Sequence, residues 1–278
     1  MNPWGHTYRF SDNRAFLSVF RQQYRKAFDV TLKAWIDSGI WRDDCELIAY
    51  SPNLDHRRYM PNSGEVLRNA NFVSVFDKEY KVRYLSPNRA FAFSEMGKIY
   101  RSADFFVLNS RCEGFGLPIV EAMACGVPCI IPSYGASEEF VTAGGCIAIN
   151  GRPALADYSD RGFSDVGHWW EPDAQMLSNA FKLAASLNQS ERASMAEIGR
   201  QHVLSHFTWR HCAFRFHQFC KRLPSIERPI PPPRRTEKTR RFWSRQLRRA
   251  ALVSSLLRHR QFGRTLVRVG RFLQRRGY

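Results

Sequence analysis

The stretch NSRCEGFGLPIVEAMACGVPCIIP, residues 109–132, decides the fold. It continues the apolar run ADFFVLNS (103–110), which reads as a strand opening into a loop. LPIVEAMACG (117–126) has helical spacing, with Pro near its start and Gly at its end, the asymmetry that helix termini favour. VPCIIP (127–132) is again short and apolar. Strand, loop, helix and strand in that order make a βαβ unit. A strand that is apolar at every position is buried on both faces of a parallel sheet.

The same alternation extends in both directions. Upstream, AFLSVF (15–20), ELIAY (46–50), FVSVF (72–76) and KVRYL (81–85) read as strands. Residues 24–39 read as a helix stopped by Gly39, and 89–101 as another. Downstream, SEEFVTAGG (137–145) is a short helix and CIAIN (146–150) the last expected strand. Three helices follow, near 171–187, 190–205 and 208–222. About six strands separated by helices indicate an α/β fold, a doubly wound parallel sheet in a single Rossmann-like domain. The expected organisation is an N-terminal extension (1–14), that domain (15–225), a Pro-rich linker (226–236) and a basic amphipathic helical tail (237–278).

The chain has 278 residues and a formal net charge of +17. Residues 228–278 carry sixteen Lys or Arg and one acid, Glu237, while 1–227 are close to neutral. Electrostatic arguments about partners therefore concern the tail. Its stripe of Trp243, Leu247, Ala250, Val253 and Leu257, continued by Phe262, Leu266, Val269 and Leu273, suits an anionic membrane surface. Packing against a further domain is the plain alternative. Nucleic acid is disfavoured because the tail has no recognised binding motif.

No apolar run reaches the ~18 residues of a spanning helix, and the N-terminus lacks a basic-then-apolar leader. The seven cysteines (45, 112, 125, 129, 146, 212 and 220) contain no CxxC pair and read as reduced thiols of a cytoplasmic protein. His202 and His206 could share a helix face, but nothing supplies a third ligand, so no metal is expected. Cys112 has no partnered base and reads as a passive thiol. His168-Trp169-Trp170 read as aromatic packing at the start of the following helix.

In such sheets, ligands bind beyond the carboxyl ends of the strands. Glu113 lies in the loop after FFVL, and Glu121 lies one turn into the helix beginning at Leu117. Gly114 and Gly116 let backbone approach a ligand. The N–H groups around Gly116, Leu117 and Ile119 are expected to be free at the helix start, where anions are favoured. A carboxylate accepts two hydroxyl hydrogen bonds at once. Two carboxylates flanking an anion-binding helix start suit hydroxyls on both sides of a phosphate, the layout of a nucleotide sugar.

EGFGLPIVEAMACGVPCI resembles the E-x7-E motif of the retaining glycosyltransferases called group 1 or family 4, which have the GT-B fold. IYRSADFFVLNSRCEGFG and PSYGASEEFVTAGG extend the resemblance, as do WWEPDAQML and FTWRHCAFRF, which are similar to closing helical segments of these domains. FRQQYRKAFDVTLKAW is similar to the family's strand–loop–helix with a basic pair, Arg21 and Lys26. The resemblance implies that Glu113 is the catalytic carboxylate holding hydroxyls of the transferred sugar, and that Glu121 holds the ribose hydroxyls. Gly114, Phe115, Gly116 and Leu117 would contact the sugar and distal phosphate, and Arg21 and Lys26 would neutralise the departing diphosphate.

The implied activity is hexosyl transfer from a nucleotide sugar with retention of configuration, in cell-surface glycan or lipid-linked oligosaccharide synthesis. It would need no cofactor or metal, and would take place in the cytoplasm or on the inner face of the membrane. Three departures stand out: Ala27 occupies a position usually Gly, LIAYSPN lacks the Gly-rich turn often found after that strand, and the chain is expected to lack the N-terminal acceptor-binding domain. A separate acceptor-binding domain or chain is thus an expected partner. A non-catalytic nucleotide-sugar-binding module, or a fragment inactive without that domain, is the alternative.

Overall fold

The computed structural model describes residues 10–52, 55, 65–68, 72–88, 91, 93–142, 144–157 and 166–222. The linker and tail read at 226–236 and 237–278 lie outside the described residues, as does most of the extension at 1–14. The chain divides into a unit of Met1–Cys220 and a unit of Lys221–Tyr278.

Among the described residues there are ten strands and six α-helices. The strands are β1 (Arg14–Val19), β2 (Cys45–Tyr50), β3 (Glu65–Arg68), β4 (Phe72–Asp77), β5 (Val82–Pro87), β6 (Phe105–Val107), β7 (Cys129–Pro132), β8 (Cys146–Ile149), β9 (Gly151–Leu155) and β10 (His168–Pro172). The helices are α1 (Phe28–Ser38), α2 (Phe93–Tyr100), α3 (Leu117–Ala124), α4 (Ala174–Ser186), α5 (Gln189–His206) and α6 (Trp209–Arg222).

Strand pairing follows from the apolar runs. Phe16 and Leu17, Phe105 and Phe106, and Ile130 and Ile131 are all buried, and in each pair successive side chains enter opposite cores. One core holds Phe16, Phe105 and Ile130 beneath α1 and α4, through Trp35 and Phe181. The other holds Leu17, Phe106 and Ile131 beneath α2, α3 and α5, through Tyr100, Met123 and Val203. The sheet is therefore covered on both faces, as the continuous apolar strands require.

Eight strands form the main sheet in the order β3-β4-β5-β2-β1-β6-β7-β8. From β5 to β8 all neighbours run parallel, while β4 is antiparallel to both β5 and β3. The parallel core is the doubly wound sheet read from the sequence, extended at one edge by two antiparallel strands. The chain leaves β1 toward β2 on one side and returns to β6 on the other. A crevice opens at such a reversal, beyond the carboxyl ends of β1 and β6.

Two readings are corrected here. CIAIN is not the last strand: β9 and β10 form a separate antiparallel hairpin. His168-Trp169-Trp170 therefore belong to β10, and α4 begins only after Asp173, whose side chain accepts a hydrogen bond from the Met176 N–H. Alternation within β10 buries Trp169 and exposes Trp170, a period-2 pattern too short to separate from a helix start in the sequence.

Candidate functional site

The loop after β1 ends in a 3₁₀ turn at Tyr24–Lys26, and Ala27 then takes a left-handed conformation (φ 50°) to start α1. The expected helix over 24–39 is thus broken at Ala27. This kink places Lys26 against the loop that follows β6. The Lys26 ammonium donates to Glu113 Oε1, and the Ser110 hydroxyl donates to the same oxygen at 2.7 Å. Both Lys26 and Glu113 are 9% exposed. Burial pulls the Lys26 ammonium below its ordinary pKa, and the Glu113 carboxylate offsets part of that loss.

Arg25 stands beside this pair. Its guanidinium donates to the Cys112 carbonyl at 3.0 Å and lies 3.7 Å from Glu113 Oε2. Arg21 is exposed and forms no ion pair with a described residue. The structure thus joins Lys26 to Glu113 directly and leaves Arg21 outside the pair.

Gly116 ends the loop at φ 95°, and a Cβ there would lie 3.2 Å from Ile119 Cδ1 and 3.4 Å from Phe140. Glycine is the residue that this left-handed, crowded position accepts. α3 starts at Leu117, with Gly114, Phe115 and Leu117 exposed. The Phe115 ring meets Phe140 edge-on at 5.3 Å. The Ile119 N–H is not free, because it donates to the Gly116 carbonyl at 2.9 Å. Pro118 has no N–H, so the donors left for an anion at this helix start are those of Gly116 and Leu117. Glu121, one turn into α3, accepts a hydrogen bond from the buried Tyr100 hydroxyl at 2.7 Å.

Sequence reasoning missed Arg111, which is only 2% exposed. All five of its guanidinium N–H donors are used. Two go to Glu171 at 2.6 and 2.7 Å, two to Asp29 at 3.0 and 2.9 Å, and one to the Tyr24 carbonyl at 2.7 Å. Burial works against the charge, but these carboxylates more than offset it and raise the pKa. The guanidinium also stacks over the Tyr24 ring at 4.0 Å. Backbone bonds reinforce the join: Arg111 N–H donates to the Arg25 carbonyl and Trp170 N–H to the Arg111 carbonyl. Arg111 therefore ties the Glu113 loop to the Lys26 turn, to α1 and to the β9–β10 hairpin. Its signal in the sequence was position alone, two residues before Glu113.

Tyr100 and Asn109 were also missed. Asn109 is buried and accepts from the Thr31 hydroxyl at 2.5 Å, pinning the end of the β6 segment to α1. The histidine pair shares α5 with ring centroids 5.0 Å apart, and His202 bonds the Glu139 carbonyl. Among the described residues there is no group of three or more His, Cys, Asp or Glu placed to hold a metal ion. Burial raises the thiol pKa values of Cys45, Cys125, Cys129 and Cys146, which leaves them poor nucleophiles. Among the described residues, no helix is long and apolar enough to cross a membrane.

A family model described as glycosyl transferases group 1 matches residues 91–202, the segment that contains Glu113 and Glu121. The chain is 53% identical over 45 residues to a lipopolysaccharide core biosynthesis mannosyltransferase of Rhizobium meliloti, covering 16% of this chain and 13% of that protein. It is 30% identical over 204 residues to a D-inositol 3-phosphate glycosyltransferase of Mycolicibacterium vanbaalenii, covering 72% of this chain and 39% of that protein. Its fold matches an E. coli structure titled trehalose-6-phosphate bound with UDP-2-fluoro glucose. The TM-score is 0.54 at 14% identity, over 77% of this chain and 45% of that one. The chain thus spans less than half the length of these relatives.

Proposed function

We propose that this chain, whose residues 91–202 belong to glycosyl transferases group 1, is the donor-binding part of a hexosyltransferase acting with retention of configuration. The observation that carries this reading is the meeting of Lys26 and Glu113 where the β1 and β6 loops converge. A sugar and its distal phosphate are joined by the bond that breaks. A carboxylate and an ammonium at hydrogen-bonding distance can therefore serve the two sides of that bond.

In this reading Glu113 accepts from hydroxyls of the transferred sugar, and Glu121, oriented by Tyr100, accepts from the ribose hydroxyls. The backbone from Gly114 to Leu117 contacts the sugar and distal phosphate. Negative charge grows on the diphosphate as it leaves. Lys26 and Arg21 stand on the same loop to stabilise it, with Arg25 beside Lys26. Cations held in place before the reaction lower its barrier without reorganising during it. Side-chain cations acting this way make a metal unnecessary.

The lipopolysaccharide relative supports a cell-surface glycan as the product, and the UDP-sugar in the E. coli structure supports a nucleotide-sugar donor. The acceptor would be held by a further domain or chain. The basic segment 237–278 would hold the protein to the inner membrane face.

Calorimetric titration with UDP-, GDP- and ADP-sugars, on the natural chain and on Glu121→Ala, tests the donor site. Saturable binding to one nucleotide class, weakened in the variant by about 1.5–3 kcal/mol, is expected from the loss of hydrogen bonds to a charged acceptor. Equal binding by both proteins would remove Glu121 from the site.

A further inference from the structure

We propose that Ser110 is a positioning residue for sugar recognition: its hydroxyl fixes one oxygen of Glu113, so that the other oxygen is the one presented to the transferred sugar. The inference rests on the reading of Glu113 as the sugar-binding carboxylate. The two oxygens of Glu113 stand in different surroundings. Oε1 accepts from both the Lys26 ammonium and the Ser110 hydroxyl, the latter at 2.7 Å. Among the described residues nothing donates a hydrogen bond to Oε2, and the Arg25 guanidinium lies 3.7 Å away, beyond hydrogen-bonding reach. Oε2 is not one of the buried oxygens left without a partner, so it opens to solvent. An ionised carboxylate only accepts, and an incoming sugar hydroxyl therefore finds its open acceptor at Oε2.

Of the two groups that hold Oε1, Ser110 is the constant one. In the reading above, the diphosphate competes with Glu113 for the Lys26 ammonium, and its pull grows with the charge that develops as it leaves. The Ser110 hydroxyl is neutral and keeps its bond to the carboxylate throughout. It is also delivered from an anchored backbone. Asn109 accepts from the Thr31 hydroxyl of α1 at 2.5 Å. The Ser110 carbonyl accepts from the hydroxyl of Tyr134, in the loop after β7, at 3.2 Å. The Arg111 N–H donates to the carbonyl of Arg25, in the loop after β1, at 2.8 Å. Three successive residues are thus fixed to three different elements, and Ser110 itself is buried. This backbone cannot follow Glu113 if the carboxylate swings, so the hydroxyl sets where Oε1 must lie. A serine that merely closed the loop would serve every ligand of the site equally. One that holds Oε1 matters only where Oε2 meets a sugar.

The full chain, Ser110→Ala and Ser110→Cys are titrated by calorimetry with UDP-glucose and UDP, and with GDP-mannose and GDP. The quantity read is the preference for a nucleotide sugar over its bare diphosphate, which a general loss of folded protein leaves unchanged. Ser110→Ala should lower that preference about 3- to 10-fold, the cost of immobilising one flexible side chain on binding. Its affinity for the diphosphate alone should stay within about twofold of the natural chain. Ser110→Cys, close in shape but a weaker donor, should fall between the two. In a Glu113→Ala background, Ser110→Ala should lower the preference no further, because the carboxylate it acts through is gone. The proposal is overturned if Ser110→Ala keeps the natural preference, or if it loses the same factor in the Glu113→Ala background. If the natural chain shows no preference for either nucleotide sugar, the reading of Glu113 as the sugar-binding carboxylate falls first and takes this proposal with it.

Discussion

The Lys26 ammonium donates to the Glu113 carboxylate, so a cation delivered by the β1 loop and an acid delivered by the β6 loop meet where the sheet reverses. Both groups are buried, and each pays its desolvation only because the other is present. Glu113→Gln keeps the shape and an acceptor but removes the charge. It should lower the unfolding free energy by about 1.5–3 kcal/mol. Urea unfolding would show this as a lower midpoint with an unchanged slope. Pairing Glu113→Gln with Lys26→Met should cost less than the two single changes combined, since no unpaired charge then remains buried. An unchanged midpoint in Glu113→Gln would show that the pair contributes nothing to stability.

Arg111 makes a second, larger join. Arg111→Met fills much of the same space but leaves Asp29 and Glu171 without their cation. Asp29 is substantially exposed and regains water, so the loss should be about 3 kcal/mol, at the lower end for a broken buried pair. Arg111→Lys should recover only part of it, because one ammonium cannot serve two carboxylates and the Tyr24 carbonyl from one plane. Thermal unfolding of the two variants checks the order: Arg111→Lys must melt above Arg111→Met.

What was legible in the sequence was the part carried by periodicity. Runs such as FFVL and CIIP announce a doubly buried strand because every residue in them is apolar, and the sheet between β5 and β8 was readable on that basis. The β9–β10 hairpin was not: RPAL is interrupted by Pro153, and HWWEP alternates over too few residues to distinguish strand from helix start. The side chains Glu113, Glu121, Arg21 and Lys26 stood out by spacing and by resemblance. The partners that orient them did not. Arg111 to Glu171 and Tyr100 to Glu121 are long-range contacts set by topology, and no local pattern encodes them.

Ala27 shows why one departure from the resembling family is tolerated. Its left-handed backbone costs an alanine about 1–2 kcal/mol. Glycine would relieve this, yet the Ala27 methyl is fully buried and worth about 0.8 kcal/mol. Glycine also loses about 0.5–1 kcal/mol of backbone entropy. The terms nearly cancel, so Ala27→Gly should change stability by less than about 1 kcal/mol. Ala27→Val, branched at Cβ at a positive φ, should destabilise by about 2 kcal/mol or more. Chemical denaturation of both variants separates the two expectations; a strongly destabilised Ala27→Gly would contradict this balance.

The Tyr100 hydroxyl holds Glu121 from inside the core, and burial, then the Glu121 charge, raises its pKa well above the ordinary 10.0. Above pH 10.0 the unfolded chain gives up the tyrosine proton while the folded chain retains it. Stability from this group is therefore fully present below 10.0 and is lost as pH rises toward the folded-state value. Tyr100→Phe should flatten that alkaline decline in denaturation profiles. It should also weaken donor binding by about 1 kcal/mol, because Glu121 loses its fixed orientation. An alkaline profile identical to that of the natural chain would show that Tyr100 is not the group responsible.

Lys26 gives the opposite slope. Its folded-state pKa lies below the ordinary 10.5, mainly through burial. Between the lowered value and 10.5 the unfolded chain binds more protons, so stability contributed by this group rises with pH across that window. A diphosphate placed against Lys26 adds negative charge and must raise its pKa. Nucleotide-sugar binding within the same window should therefore take up a proton. Calorimetry in buffers of different ionisation enthalpy measures that uptake directly. It should vanish in Lys26→Met, while Arg21→Met should lose affinity and leave the proton uptake as in the natural chain. Uptake that persists in Lys26→Met would move the phosphate contact to another residue.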